Sequence, residues 1–252
     1  MRSLLRKIIP AKLHLAPQLE NKIVREAQGR VVSGPFSGMR YTVGRNYGGV
    51  WFPKILGTYE KEIHGILDRF LRLKFDLIVV VGAAEGFYPV GFALRTNSEI
   101  EIVSFEAKPS LGKALEQLAE VNGVKGRIRR NGLCDIGSLR ACLSESMCPF
   151  VLMDIEGAEA ILLDPEFLPE LKRAHIVVEI HDVFIPGISG LLRKRFSSTH
   201  RISEIASQAR TTDDFPIQIL ELFKEAAVQL MSENRPGPMS WFVIEPMTWS
   251  AS

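Results

Sequence analysis

In this chain, acids and glycines cluster where apolar runs stop. Leu77–Val81 runs into Gly82-Ala83-Ala84-Glu85-Gly86, and Ile100–Phe105 into Glu106. The stretch Arg127–Leu133 leads to Asp135, and Phe150–Met153 leads to Asp154 and Glu156. Ile176–Ile180 ends with Glu179, His181 and Asp182. Carboxylates at such points can accept hydrogen bonds from ligand hydroxyls, and an imidazole there can move a proton near neutral pH. Asp154, Glu179 and Asp182 also offer hard oxygens of the kind that suits Mg²⁺. Asp135 has a plainer use as well, because the helix expected after it needs an N-cap.

These residues act together only if the elements between them bring the run ends to one rim. Five apolar residues in a row, Leu77–Val81, read as a strand buried on both faces, as in a parallel sheet. From Asp76 onward strands alternate with helices at Phe87–Leu94, Pro109–Val121 and Ile136–Leu143, and another helix starts near Ala158. That alternation predicts parallel βαβ units. His200–Ala206 and Ser240–Ile244 read as two closing strands, with a helix over Ile217–Met231 and loops at 184–199 and 207–216. The expected fold is α/β: a Rossmann-like, seven-stranded, mostly parallel sheet with an antiparallel edge, over residues 76–252. Residues 1–75 form an N-terminal extension that carries a helix at Tyr59–Leu73 and contacts for substrate or a second copy. Open parallel sheets bind ligands just outside the carboxyl ends of their strands. All the residues above fall there.

Glu106 sits at the tip of the second strand, 20 residues after Gly86, where an acid in a nucleoside-binding sheet accepts from both ribose hydroxyls. The first loop, Gly82 to Gly86, lacks the G-x-G-x-x-G pattern of a dinucleotide site, and Glu85 would repel a diphosphate. A ligand with an adenosine half and no phosphate fits better, and S-adenosylmethionine (SAM) is such a ligand.

The segments VVVGAAEGFY (79–88), VSFEA (103–107), MDIEGAE (153–159) and VVEIHD (177–182), in that order, resemble the FkbM-type SAM-dependent methyltransferases. GTYEKEIH (57–64) resembles the stretch that precedes the core in such proteins; the tail through His200 and MSWFVIEP (239–246) is looser. The resemblance implies a class I methyltransferase sheet, SAM as methyl donor and an oxygen acceptor on a sugar or natural product. Cofactor contacts are expected at Gly82, Ala83, Ala84, Glu85, Gly86, Glu106, Ala107, Asp135 and Asp154. Val80 stands where such proteins commonly carry an acid for the methionine end of SAM; Glu85, or Glu60 from the preceding helix, is the candidate substitute.

Methyl transfer to a hydroxyl needs in-line alignment and removal of a proton. His181 is the expected base, flanked by Asp154 and Glu156, which would orient the acceptor or the sulfonium. A metal-assisted route through Asp154, Glu179 and Asp182 with Mg²⁺ ranks second. The Asn-Pro-Pro-aromatic signature of many amide and base N-methyltransferases does not follow the fourth strand, which counts against N-methylation of a macromolecule. A binding module that kept the sheet and lost catalysis is the remaining class, supported by Val80.

Composition narrows the partners. A net charge of +2 across 252 residues, with 24% charged, suits a globular domain with no special pull toward nucleic acid. The basic clusters at Arg127, Arg129 and Arg130 and at Arg193, Lys194 and Arg195 read as solvated edges. Cys134, Cys142 and Cys148 match no common zinc spacing; with no secretory signal, an odd count predicts reduced thiols and a cytoplasmic setting. No apolar run reaches the ~20 residues of a membrane span. The segment MRSLLRKIIPAKLHLAP reads as a short amphipathic helix that packs on its own domain first, with a membrane surface or a second copy (a homodimer contact) as the alternatives.

Overall fold

The computed structural model describes residues 12–44 and 50–247. It divides into two compact units: residues up to Lys61 together with Gln208–Asn234, and Glu62–Ser207 together with the chain from Arg235 onward. The first unit holds helices α1 (Lys12–Ala27), α2 (Trp51–Leu56) and α9 (Lys224–Leu230). Leu19 and Ile23, four residues apart on α1, are fully buried in it. The amphipathic segment expected at the start of the chain lies for the most part outside the described residues.

The second unit is a seven-stranded sheet. Its strands are β1 (Leu77–Val81), β2 (Glu101–Phe105), β3 (Ile128–Asn131), β4 (Pro149–Met153), β5 (His175–Ile180), β6 (His200–Ala206) and β7 (Ser240–Pro246). They lie in the order β3-β2-β1-β4-β5-β7-β6. Pairings among β1 to β5 are parallel, and β7 runs antiparallel to both β5 and β6. This is the seven-stranded α/β sheet expected from the sequence. β1, β4 and β5 are buried along their whole length, as helices on both faces of a parallel sheet require. The connecting helices are α3 (His64–Phe70), α4 (Phe87–Arg95), α5 (Pro109–Val121), α6 (Ile136–Leu143), α7 (Glu159–Leu162) and α8 (Ile188–Phe196).

Some elements differ from expectation. Residues 184–199, read as loop, contain α8; its buried Ile188, Leu192 and Phe196 recur every four residues, a helical stripe. The helix expected over 217–231 begins only at Lys224, after a 3-10 turn at Glu221–Phe223. Upstream, Phe215 and Ile217 are both buried, the alternation of extended chain rather than helix. The helix expected at 59–73 is a 3-10 turn, Lys61–Ile63, leading into α3.

The strand order reverses between β1 and β4, and there the sheet positions a site. Val81 pairs with Phe105 on one side and Met153 on the other, so β1, β2 and β4 end level. Adjacent parallel strands that feed helices in opposite directions leave a crevice at their carboxyl ends.

Candidate functional site

A cavity of about 790 Å³ opens at this crevice, wholly within the second unit. Its wall includes Gly82, Ala84, Glu106, Ala107, Asp135, Asp154 and Glu156, all expected site residues. Ala83, Glu85 and Gly86 lie in the same turn but not on the wall. Sequence reasoning missed the apolar half of the lining, notably Leu111, Leu133, Ile136, Ile155 and Ile161. These come from helices and loops whose individual residues carry no chemical signal.

The turn after β1 is shaped by close approach. Gly82 has φ of 84°, and a Cβ there would meet the backbone oxygen of Asp154 at 1.8 Å. Only glycine lets the β1 and β4 ends come this near. A Cβ on Gly86 would likewise press on Leu115 of α5 at 2.8 Å, so this glycine allows the helices to pack. Between them, Ala84 sits at φ 46°, a left-handed conformation that costs free energy in a residue with a side chain. Its N–H donates to Glu106 Oε2 at 2.9 Å, while Glu106 Oε1 accepts from the Lys108 N–H at 2.7 Å. The two bonds hold the carboxylate rigid. A carboxylate offers about four lone-pair positions, so acceptor capacity remains for a ligand's hydroxyls.

On the opposite wall, Asp135 is the N-cap of α6. It accepts from the Ser138 N–H at 2.7 Å, and Ser138 in turn accepts from the Asp135 N–H in a capping box. These bonds hold its carboxyl below the usual range. The capping use anticipated for it is thus present, at a position that also faces the cavity. Glu156 is exposed at the rim with φ of 54°. Glu60 belongs to the other unit; it is buried, and its N–H donates to Glu233 Oε1 at 2.9 Å.

His181 is not on the cavity wall. It is 2% exposed and held by acids. Its Nδ1 lies 2.7 Å from Glu159 Oε1, and its Nε2 lies 3.3 Å from Glu179 Oε2 and 3.5 Å from Asp154 Oδ1. Glu179 also meets the Arg235 guanidinium at 2.6 Å, whose other nitrogen reaches Glu62 at 3.0 Å. A buried chain of charges results: Glu62, Arg235, Glu179, His181, Glu159. Burial disfavours the imidazolium, but bonds to Glu159 and Glu179 outweigh it and lift the His181 pKa to about 10. At neutral pH the ring is a cation without a lone pair to accept a proton. This argues against the expectation that His181 is the base. Three carboxylates against two cations leave this chain of groups negative before Asp154 is counted. Desolvation and the neighbouring Glu179 accordingly raise the Asp154 carboxyl well above its ordinary value. Glu159 and Arg235 were both missed as site residues. Glu159 sits inside the MDIEGAE segment, but nothing local says that it faces His181.

The oxygen set expected for Mg²⁺ does not converge. Asp182 turns to α8, where it accepts from the Ser189 N–H at 3.0 Å and from the Ser189 hydroxyl. A different trio, Asp154, Glu179 and His181, brings one ligand atom each within 4.8 Å of the others. As they stand, Glu179 and Asp154 already face the imidazolium, and Glu179 the guanidinium. Cys134, Cys142 and Cys148 are in the thiol form, and burial pushes Cys134, on the cavity wall, up to about 12. Among the described residues, no helix is long and apolar enough to cross a membrane.

No protein-family model matches the chain, and no curated protein matches it. Solved structures similar to it include an O-methyltransferase from Bacillus cereus in complex with SAH, at 14% identity and a TM-score of 0.47, covering 94% of this chain and 93% of that one. The O-methyltransferase TomG from Streptomyces achromogenes, involved in tomaymycin synthesis and in complex with SAM, has 13% identity and a TM-score of 0.47, covering 75% and 81%. An RNA methyltransferase from Salinibacter ruber, in complex with S-adenosyl-L-homocysteine, has 13% identity and a TM-score of 0.38, covering 75% and 95%. Identity this low does not bear on what a chain binds.

Proposed function

We propose that this protein transfers a methyl group from SAM to a hydroxyl of a small-molecule or glycan acceptor, as its FkbM-like motifs imply. The observation that carries the reading is the pairing of Gly82 and Glu106 at the sheet's switch point. A turn that only glycine can make stands beside a carboxylate fixed by two backbone bonds and still able to accept. The negative cluster behind Asp154 favours a cationic ligand. Both features fit a sulfonium nucleoside.

Glu106 would hold the ribose hydroxyls, while Gly82 and Ala84 would line the adenosine half. Leu133, Ile136 and Leu111 supply apolar surface for a base. SAM supplies the methyl group as a sulfonium. Asp154 is the member of the charged cluster that reaches the cavity wall, and its carboxylate would take the acceptor's hydroxyl proton. His181 would orient Asp154 and shield its charge as a fixed cation.

Calorimetry tests the cofactor assignment. SAM should bind the wild-type protein, and Glu106→Ala should weaken it about tenfold or more, roughly the worth of a charge-assisted hydrogen bond. Equal affinity in the two proteins would remove the ribose role. The spacing of Asp154, Glu179 and His181 favours one second reading, a metal-assisted transfer. Treatment with EDTA is expected to leave the rate unchanged; loss of activity restored by a divalent ion would make the metal route the correct one.

A further inference from the structure

Between β5 and α8 the chain makes a turn that holds three large apolar side chains half in water. Val183 is 45% exposed, Phe184 50% and Ile185 47%. The turn is firmly built. The His181 carbonyl accepts from both the Phe184 and Ile185 N–H groups at 2.9 Å, Asp182 is bonded to Ser189, and Gly187 closes the turn at φ 95°. The backbone that carries the three side chains is thus fixed in place, although water is a poor partner for them.

The turn borders the site. The Phe184 ring stacks on the His181 imidazole, centroids 5.7 Å apart and planes at 15°. Ile185 lies over Gly157, where a Cβ would come 2.7 Å from Ile185 Cδ1. Gly157 directly follows Ile155 and Glu156, both on the cavity wall. Val183 neighbours Gly237, on the segment that carries Arg235. The patch therefore adjoins the cavity through Gly157, next to the wall residue Glu156, and an exposed apolar patch beside a cavity marks a binding site.

We infer that Val183, Phe184 and Ile185 form the acceptor-binding wall, and that the acceptor's hydroxyl is carried on an aromatic or alkyl skeleton rather than on a sugar. This rests on the methyl-transfer reading above and narrows its substrate class. A sugar ring carries hydroxyls around its edge, and each needs a partner when water is excluded. The three side chains offer none, being hydrocarbon, and the Phe184 and Ile185 N–H groups are already bonded to the His181 carbonyl. A hydrocarbon skeleton needs no such partners and buries all three side chains, each worth roughly tenfold in affinity.

The test uses 1-naphthol, a hydroxyl on an apolar bicycle, with the full-length protein and the triple variant Val183→Ser, Phe184→Ala, Ile185→Ser. Fluorescence titration should show saturable naphthol binding that weakens tenfold or more in the variant, with SAM affinity by calorimetry changed less than twofold. Methyl α-glucopyranoside should show no saturable binding. Naphthol affinity equal in the two proteins, or binding to neither, overturns the inference. So does tighter binding of the glucoside. So does co-sedimentation with phosphatidylcholine vesicles that the variant loses, since the turn would then be a membrane contact. Absence of SAM binding to the wild type overturns the methyl-transfer reading whatever naphthol does; SAM binding with turn-independent naphthol overturns this inference alone.

Discussion

A histidine enclosed by Glu159, Glu179 and Asp154 is a different reagent from a histidine at a strand tip. Alone, its pKa near 6.5 makes it a base; among three acids it holds its proton up to about pH 10. A proton NMR titration should place the His181 transition near pH 10. A midpoint near 6.5 would return the base role to the ring. Glu106 was legible in the sequence because its use depends on local spacing: one strand, one turn and a fixed distance from Gly86. The ionisation of His181 was not. Its partners Glu159 and Glu179, and Arg235 behind them, come from a helix, a strand and a loop that only folding brings together.

At the scale of elements, β1 and β4 meet so closely at Gly82 that this one position tests their geometry. Gly82→Ala puts a Cβ 1.8 Å from the Asp154 carbonyl oxygen at a positive φ. It should destabilise the protein by about 1–3 kcal/mol in a denaturant titration and weaken SAM binding with it. Gly126→Ala meets nothing within 4 Å and should change stability by less than about 0.5 kcal/mol. A Gly82→Ala protein as stable as the Gly126→Ala control would show that the two strand ends do not crowd as described. The strands with strong apolar runs were read correctly because burial on both faces leaves an unbroken signal in the sequence. α8 was missed although Ile188, Leu192 and Phe196 stand at helical spacing, because three apolar residues in a nine-residue, strongly basic segment make a weak stripe.

For the whole molecule, buried histidines set the stability profile. His181 binds its proton more tightly folded than unfolded, so its contribution is complete below about pH 6.5 and is lost as pH rises toward 10. His175, at the other end of β5, is opposite. Burial lowers it to about 4, so the unfolded chain takes up a proton first and stability falls as pH drops from about 6.5 toward 4. Burial lowers His200 in the same direction. Through these histidines stability should fall on both sides of about pH 6.5 in urea titrations, while the raised Asp154 carboxyl removes stability as pH climbs out of the carboxylate range. His181→Gln should flatten the alkaline limb and leave the acid limb unchanged. An alkaline limb of equal slope in the variant would show that His181 does not carry it.

The order of strands and helices, the glycine turn and the acid at the second strand's tip were determined by the sequence itself. Each rests on periodicity or on spacing along a few neighbouring residues, and local sterics decide those. The charge state of His181, the turning away of Asp182, the apolar cavity wall and the Val183–Ile185 rim were decided by tertiary structure alone. They depend on which distant side chains share a desolvated space, and electrostatics and burial act through space rather than along the chain.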